Sequence, residues 1–127
     1  MSIAVDDSGG VARTMSNSVT TAEWDTPREE LVVTGVDKSA TERLLGLADF
    51  TVTFEGTLDT TADVGAHFVF RTVPSTSVAR TVTLTIASQV LACETLFTSY
   101  ALTREDDGGA NWSAEGALAS GTVPTWA

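Results

Sequence analysis

Residues 80–87 read Arg-Thr-Val-Thr-Leu-Thr-Ile-Ala, and the stretch alternates apolar side chains with threonines. Successive side chains of a strand point to opposite faces of its sheet, so Val82, Leu84 and Ile86 share one face. The stretch therefore predicts a strand with one face toward a core. The threonine face is polar, uncharged and branched, which suits contact with water or with a neighbouring subunit.

A second stretch, Phe-Thr-Val-Thr-Phe-Glu at residues 50–55, shows the same alternation and predicts a strand whose Phe50, Val52 and Phe54 side chains face a core. Threonine and valine are abundant along the chain, whereas lysine, asparagine and glutamine are scarce. Side chains that branch at Cβ fit a pleated sheet better than a helix. The sequence therefore predicts a mainly β fold.

Shorter signals extend this pattern in both directions. Residues 1–18 contain Gly9-Gly10 and little sustained periodicity, which predicts an extended N-terminal arm or an edge strand. The Asp-Asp-Gly-Gly stretch at 106–109 has the chemistry of a hairpin turn. Further strands are predicted at 19–26, 30–35 (a buried strand), 89–93, 95–105 and 111–118.

One helix is predicted at about residues 39–48. Ser39 and Glu42 have the spacing of a capping box, in which each side chain accepts a hydrogen bond from the other residue's backbone N–H. An apolar stripe at helical spacing follows, and we expect it to lie on the sheet. The stripe consists of Ala40, Leu44, Leu45, Leu47 and Ala48.

The other connecting segments are less regular. Residues 58–65 are polar and turn-like, while 66–73 fit either a short helix or a strand, with the helix favoured. A loop follows at 74–77, because a proline biases the residue before it away from the helical region. Residues 121–127 form a tail, and we expect its apolar Trp126 to pack on this subunit or another.

Length and charge limit the class of protein. The 127 residues fit one domain, 1–127, in which 19–127 forms the β core with its C-terminal tail. The formal charge of −10 argues against binding of nucleic acid through phosphate neutralisation, which needs clustered Lys and Arg. No apolar run approaches the roughly 20 residues of a transmembrane helix, and the N-terminus lacks a signal-peptide pattern. We expect a chain that is made in the cytoplasm and does not bind membranes.

The sequence supplies no set of residues for catalysis. His67 is the only histidine, and a histidine between Ala66 and Phe68 is more often structural than a general base. The adjacent acids at 6–7, 29–30 and 106–107 point to opposite faces of a strand or lie in turns, and the Asp106-Asp107-Gly108 stretch lacks the ligand spacing of a calcium loop. We therefore expect no catalytic, cofactor or metal site and no enzyme activity.

Cysteine and tryptophan leave a structural and a binding interpretation. Cys93 is the single cysteine, which excludes an internal disulfide, and its apolar neighbours predict a small buried side chain. Trp24, Trp112 and Trp126 could form a platform for stacking sugars. Their wide separation along the chain favours anchors in a core or an interface.

Several short segments carry a family resemblance: residues 34–45, 48–50, 72–77, 80–84 and 122–126. They resemble the tail tube proteins, also called major tail proteins, of long-tailed bacteriophages and actinobacterial prophages. The resemblance spans most of the chain, and it transfers no site residue.

The resemblance implies an antiparallel β-sandwich or partly closed barrel, with the helix at 39–48 on its flank. It also implies hexameric rings of this chain that stack into the hollow tail tube of a virion. The genome would pass through this tube during DNA ejection without specific binding. Further implied partners are the tail terminator, tape measure and baseplate proteins, with assembly in the cytoplasm of a bacterial host.

The acidic composition has two interpretations. Acidic residues on a tube wall would repel the phosphate backbone and remove the counterion release that holds DNA to basic proteins. Alternatively, the charge keeps a soluble monomer from associating early. Since a fold does not fix a function, the alternatives are another tail, head-completion or decoration protein of a virion, or a monomeric β-sandwich binding module.

Overall fold

The computed structural model describes residues 1–60 and 65–127. It confirms the mainly β fold. The strands are β1 Ser2–Asp6, β2 Ala12–Thr14, β3 Thr21–Asp25, β4 Arg28–Val32, β5 Arg43–Ala48, β6 Thr51–Thr57, β7 Arg80–Ile86, β8 Gln89–Arg104 and β9 Ala110–Leu118. A 3₁₀ helix, Ser16–Ser18, follows β2, and α1, Ala66–Phe70, precedes β7. Within the described ranges, no helix is long and apolar enough to cross a membrane.

Seven strands form an antiparallel sheet in the order β2-β1-β7-β8-β9-β6-β3. The long strand β8 joins two parts of this sheet, because residues 89–95 pair with β7 and residues 95–104 pair with β9. We call β2, β1, β7 and the first part of β8 the β1 half. The second part of β8, with β9, β6 and β3, is the β6 half.

The sheet curls so that its two edge strands approach each other. A flat sheet of seven strands would separate its edges by roughly 29 Å at about 4.8 Å per strand, whereas seven residues of fully extended chain span at most about 24 Å. The edge strands β2 and β3 are joined by residues 15–20, which include the 3₁₀ helix. The architecture is therefore a strongly curled sheet, as expected for a partly closed barrel.

A single apolar core lies between the two halves. Its buried side chains include Val5, Val82 and Leu84 from the β1 half, together with Phe54 and Trp112 from the β6 half. The predicted strands at 50–55 and 80–87 thus place their apolar faces inward, except that Ile86 is 40% exposed. Both stretches supply alternate side chains to this core, which is why their alternation of apolar and polar residues is so regular.

Helix α1 and the 3₁₀ helix close this core. The Phe70 ring lies 4.9 Å from the Phe97 ring and 5.5 Å from the Trp112 ring, measured between centroids. The Trp112 indole Nε1–H donates to the backbone oxygen of Ser18 at 3.2 Å. A Cβ at Gly56 would lie 2.0 Å from that oxygen, so the close approach requires glycine. The helix favoured within 66–73 is thereby confirmed, and Trp112 is a core anchor.

The helix predicted at 39–48 is wrong. Residues 43–48 form β5, which pairs antiparallel with β4. The Glu42 N–H does not take part in a capping box but donates to Thr34 Oγ1 at 2.9 Å, and the Glu42 carbonyl accepts from the Val33 N–H at 3.0 Å. Val32 and Val33 are β-branched, and pairing with them satisfies the backbone hydrogen-bonding groups of residues 42 and 43. A helix at 39–48 would instead need a sheet surface to bury its leucines, and these leucines are exposed.

The N-terminal segment belongs to the sheet and is not an arm. Strand β1 lies between β2 and β7, and its Ile3 and Val5 side chains are buried. The edge-strand alternative describes β2, which ends the sheet.

Three further predictions, for two strand regions and one turn-like segment, can be compared with the structure. The strand predicted as buried at 30–35 is exposed along β4. The strands predicted at 89–93 and 95–105 are one strand, β8. Part of the turn-like segment predicted at 58–65, residues 61–64, lies outside the described residues.

Candidate assembly surfaces

Strands β4 and β5 form a two-stranded ribbon outside the seven-stranded sheet. Leu31 pairs with Leu44, and Glu30 pairs with Leu45. The Arg28 guanidinium donates to the Gly46 carbonyl oxygen at 2.9 and 3.1 Å, and the Lys38 ammonium lies 3.3 Å from a Glu42 carboxylate oxygen. The ribbon is therefore held by its own ladder and by exposed polar contacts.

The ribbon exposes an unusual amount of aliphatic surface. Successive side chains along each strand point to opposite faces of the ribbon. Two strands alone cannot form a core that covers either face. The exposed fractions reach 92% at Leu47 and 108% at Val36. The other exposed aliphatic residues of the ribbon and its connection are Leu31, Val32, Val33, Leu44 and Leu45. So many exposed aliphatic side chains in one segment are typical of an interaction site.

The outer face of the β6 half is acidic and rich in hydroxyl groups. The strand registers place Glu23, Thr53, Glu115 and Ser99 in one row across the four strands, and Thr21, Glu55, Ser113 and Ala101 in the next. The three glutamates are exposed. By the same alternation, Arg104 falls on the opposite face, so no Lys, Arg or His of these four strands lies on this one. We call this surface the acidic face.

A polar cleft of about 340 Å³ lies at one end of the acidic face. Glu55, Glu105 and Asn111 line it together with hydroxyl side chains. It lacks the largely apolar walls of a small-molecule site. The cleft is a depression in the same polar surface.

His67 is held by a structural contact. Its Nδ1 lies 3.0 Å from the Tyr100 hydroxyl oxygen, and the two rings are 6.0 Å apart between centroids. Burial raises the pKa of Tyr100. The partner of His67 Nδ1 is thus a phenol whose protonated form is favoured by burial, which fits the structural role that the sequence predicts for this histidine.

Cys93 is partly buried in β8, and its Sγ lies 3.6 Å from the Thr95 hydroxyl. Burial raises the pKa of the Cys93 thiol. A raised pKa keeps the group in its unreactive protonated form at neutral pH. These features fit the small buried side chain that the sequence predicts.

The adjacent acids have separate local roles. Asp7 accepts hydrogen bonds from the backbone N–H groups of Gly9 and Val11 and from the Arg13 side chain. Asp107 accepts from the Gly109 N–H at 2.9 Å in the turn after β8. In residues 1–60 and 65–127, no three His, Cys, Asp or Glu side chains are grouped so that they could hold a metal ion.

Comparison with known proteins finds its matches among solved structures. No protein-family model and no curated protein matches the chain. A chain in the tail of an empty gene transfer agent (GTA) particle, with C6 symmetry, is 15% identical, with a TM-score of 0.75 over 100% of this chain and 95% of that chain. A chain in the virion of the native GTA particle is 14% identical, with a TM-score of 0.73 over 98% and 95% of the two chains. This chain shares the fold of these two chains from a GTA tail and a GTA virion, which is consistent with the predicted resemblance to phage tail tube proteins.

Proposed function

We propose that this protein is the structural subunit of the tail tube of a phage or phage-like particle, and that it assembles into stacked hexameric rings. The observation that carries the proposal is the exposed aliphatic ribbon. The remainder of the chain buries an apolar core, whereas the ribbon and its connection leave Leu47 and Val36 almost fully in solvent. A monomer gains nothing from such a surface, but a subunit of an assembly does.

The proposed occupant of the ribbon surface is a copy of this chain in the next ring. Full burial of one Leu or Val side chain contributes about 1.5–3 kcal/mol, and the ribbon and its connection expose seven such side chains. Their joint burial is comparable to the cost of association, about 4–15 kcal/mol. The C6 symmetry of the matched GTA tail supports six copies in each ring.

The proposed mechanism needs no chemistry. Stacked rings enclose a channel, and the acidic face lines it. Carboxylates and hydroxyls hydrate the wall and repel phosphates, so DNA passes without the counterion release that would hold it. Tail terminator, tape measure and baseplate proteins are the proposed partners within the virion tail, with assembly in the host cytoplasm.

Sedimentation velocity over a concentration series tests this proposal with two matched variants. The ribbon variant replaces Leu44, Leu45 and Leu47 by Ser. The control variant makes the same change to Ser at three exposed aliphatic residues outside the ribbon, Val11, Val78 and Val123. We expect wild type and control to form long tubes, and the ribbon variant to stop at single rings. A wild-type chain that stays monomeric at every concentration contradicts the proposed function.

A further inference from the structure

Most cations of this acidic chain have polar partners within the copy. The chain has 7 Lys and Arg residues against 17 acids. The cations that contact carboxylates or backbone oxygens are Arg13, Arg28, Lys38, Arg43 and Arg80. In residues 1–60 and 65–127, Arg71 and Arg104 form no ion pair and no side-chain hydrogen bond. These two arginines are therefore available for a contact outside the copy.

Arg71 differs from Arg104 in being held in place by a ring. Its Cζ lies 4.8 Å from the centroid of the Phe68 ring, and the Arg13 Cζ lies 5.4 Å from the same centroid. Phe68 is half-buried, whereas Arg71 is exposed. A guanidinium stacked on an aromatic ring keeps its N–H groups available in a fixed fork. We call Phe68 with Arg13 and Arg71 the Phe68 stack, and its Arg71 is an oriented, exposed donor for a carboxylate.

The turn between β8 and β9 carries the longest acidic run of the chain, residues 105–107. The Asp107 Oδ1 accepts from the Gly109 N–H at 2.9 Å, which orients the carboxylate, and Glu105 accepts from the Asn111 side chain at 3.1 Å. Among the described residues, Asp106 forms no side-chain hydrogen bond and Asp107 forms no ion pair. Asp107 is therefore an exposed and oriented carboxylate without a cation. We call residues 105–109 the acidic turn.

The acidic turn and helix α1 lie at the same end of the β6 half, opposite the ribbon. The ribbon joins the end of β3 to the start of β6. At the other end of β6, the Leu58 N–H donates to the Ala110 oxygen at 2.9 Å, beside the acidic turn, and the His67 N–H donates to the Asp59 oxygen at 3.2 Å, at the start of α1. Rotation about the ring axis keeps both surfaces at one height, so they meet between neighbours of one ring.

We propose that Arg71 of one copy forms an ion pair with Asp107 of the next copy in the same ring. The inference rests on the proposed function and names a side-chain contact that selects the neighbour within a ring. Its occupant is the acidic turn of a second copy of this chain. The contact joins two different surfaces, and a head-to-tail contact of this kind generates a ring when the rotation closes.

The charge of the chain explains what such a contact contributes. Copies with a formal charge of −10 repel one another, so a surface that offers a cation to a carboxylate is favoured over other approaches. An exposed ion pair adds little affinity by itself. Both groups are already oriented within their own copies, which lowers the entropy lost when they meet. The pair therefore selects which surfaces meet, while other contacts supply most of the affinity.

Charge reversal tests the pair in the ribbon variant, whose rings are expected not to stack. Arg71→Asp and Asp107→Arg each place like charges at the contact, and we expect each to raise the concentration needed for rings by about tenfold or more in sedimentation velocity. Arg104→Asp and Asp106→Arg are the controls with the same changes in charge, and both should form rings as the ribbon variant does. Circular dichroism checks that all four variants are folded.

A milder variant separates the charge from the shape of the turn. Asp107→Asn keeps an acceptor for the Gly109 N–H and removes only the charge. We expect it to weaken ring formation less than Asp107→Arg does, but measurably. Ring formation by Asp107→Asn equal to that of the ribbon variant would contradict a role for the charge.

Rescue gives the sharpest result. A chain with both Arg71→Asp and Asp107→Arg restores opposite charges and should form rings again. An equimolar mixture of the two single variants should also form rings, because alternating copies place opposite charges at every contact, and six is an even number of copies. Native mass spectrometry should show three copies of each variant in one ring.

The other outcomes overturn the inference and leave the proposed function standing. These are no rescue by the double variant or by the mixture, and equal defects in the controls. Rings that form normally from Arg71→Asp in the ribbon variant, while the same substitution in the wild-type chain prevents stacking, would assign Arg71 to the contact between rings instead. Failure of the wild-type chain to assemble would count against the proposed function.

Discussion

The guanidinium of Arg80 donates from Nη1 to the backbone oxygen of Val69 at 2.7 Å, in a position that is 1% exposed. It also donates to the Asp6 oxygen at 3.2 Å and to Thr72 Oγ1 at 2.9 Å. Burial lowers the pKa of Arg80. One buried cation thus joins β7, the end of β1 and helix α1 through uncharged acceptors.

Replacing Arg80 by Met should destabilise the fold strongly. The variant leaves buried backbone oxygens without donors, and hydrogen bonds to charged groups contribute about 1.5–3 kcal/mol each. We expect a loss of about 3 kcal/mol in the free energy of unfolding, measured by denaturant titration. Arg104→Met, at an exposed arginine, should change it by less than about 0.5 kcal/mol. Equal effects of the two variants would show that the buried network does not stabilise the fold.

Replacing Ile3 by Ala should also destabilise the fold, because β1 is part of the sheet. Ile3 is 5% exposed and pairs with Leu84. Removal of buried methyl groups costs about 2–5 kcal/mol. Thermal unfolding should show a clear decrease in Tm, whereas Val11→Ala, at a residue that is 50% exposed, should leave Tm nearly unchanged. An unchanged Tm for Ile3→Ala would restore the interpretation of residues 1–18 as an arm.

Asp7 predicts a pH dependence of stability. The hydrogen bond from the Val11 N–H, with further bonds from Arg13 and Gly9, holds the pKa of Asp7 below its usual value. A lowered folded-state pKa contributes stability above the unfolded-state pKa, about 3.9, and loses it as the pH falls through the folded-state value. Wild type should therefore exceed Asp7→Asn in stability at pH 7, and the difference should shrink below about pH 4. A difference that grows on acidification would contradict this assignment.

Reversal of charge on the acidic face should create DNA affinity. Glu115→Lys in assembled tubes adds a cation to each subunit on the wall, and lysines that neutralise phosphates bind DNA with strong salt dependence. We expect fluorescence anisotropy to show binding of a DNA oligonucleotide at low salt that disappears at high salt. Asp106→Lys, in the turn after β8, is the control with the same change in charge and should bind weakly. Equal binding by both variants would show that position on the acidic face does not matter.

The sequence predicts a strand where the alternation of apolar and polar residues is complete within the stretch itself. It does not predict the burial of a strand that depends on a partner strand far along the chain. Alternation at 80–87 and 50–55 is complete within each stretch, so both strands follow from it. The Ser2–Asp6 strand also alternates, but it is short and its partner β7 lies more than 70 residues away, so nothing near it indicates burial.

The helix prediction at 39–48 is wrong for a different reason. Leucines at helical spacing indicate a helix only if a core receives them, and here Leu44, Leu45 and Leu47 remain exposed. The capping-box pattern of Ser39 and Glu42 was outweighed by pairing with Val32 and Val33, which the sequence shows as a separate strand. The sequence therefore identifies the apolar residues of the ribbon but does not indicate that they form an exposed surface.

The sequence shows that the protein is acidic but not which acidic residues share a face. Net charge is readable from composition, whereas the alignment of Glu23, Glu55 and Glu115 depends on the registers of β3, β6 and β9. Registers depend on pairings between distant segments, which a single sequence does not specify.

Electron microscopy of the purified protein across a concentration series distinguishes a tube subunit from a monomeric protein. We expect hollow rings with six-fold symmetry that stack into tubes as the concentration rises, with the acidic face toward the channel. A featureless monomer at every concentration, or a closed assembly without a channel, would show that the protein is not a tube subunit.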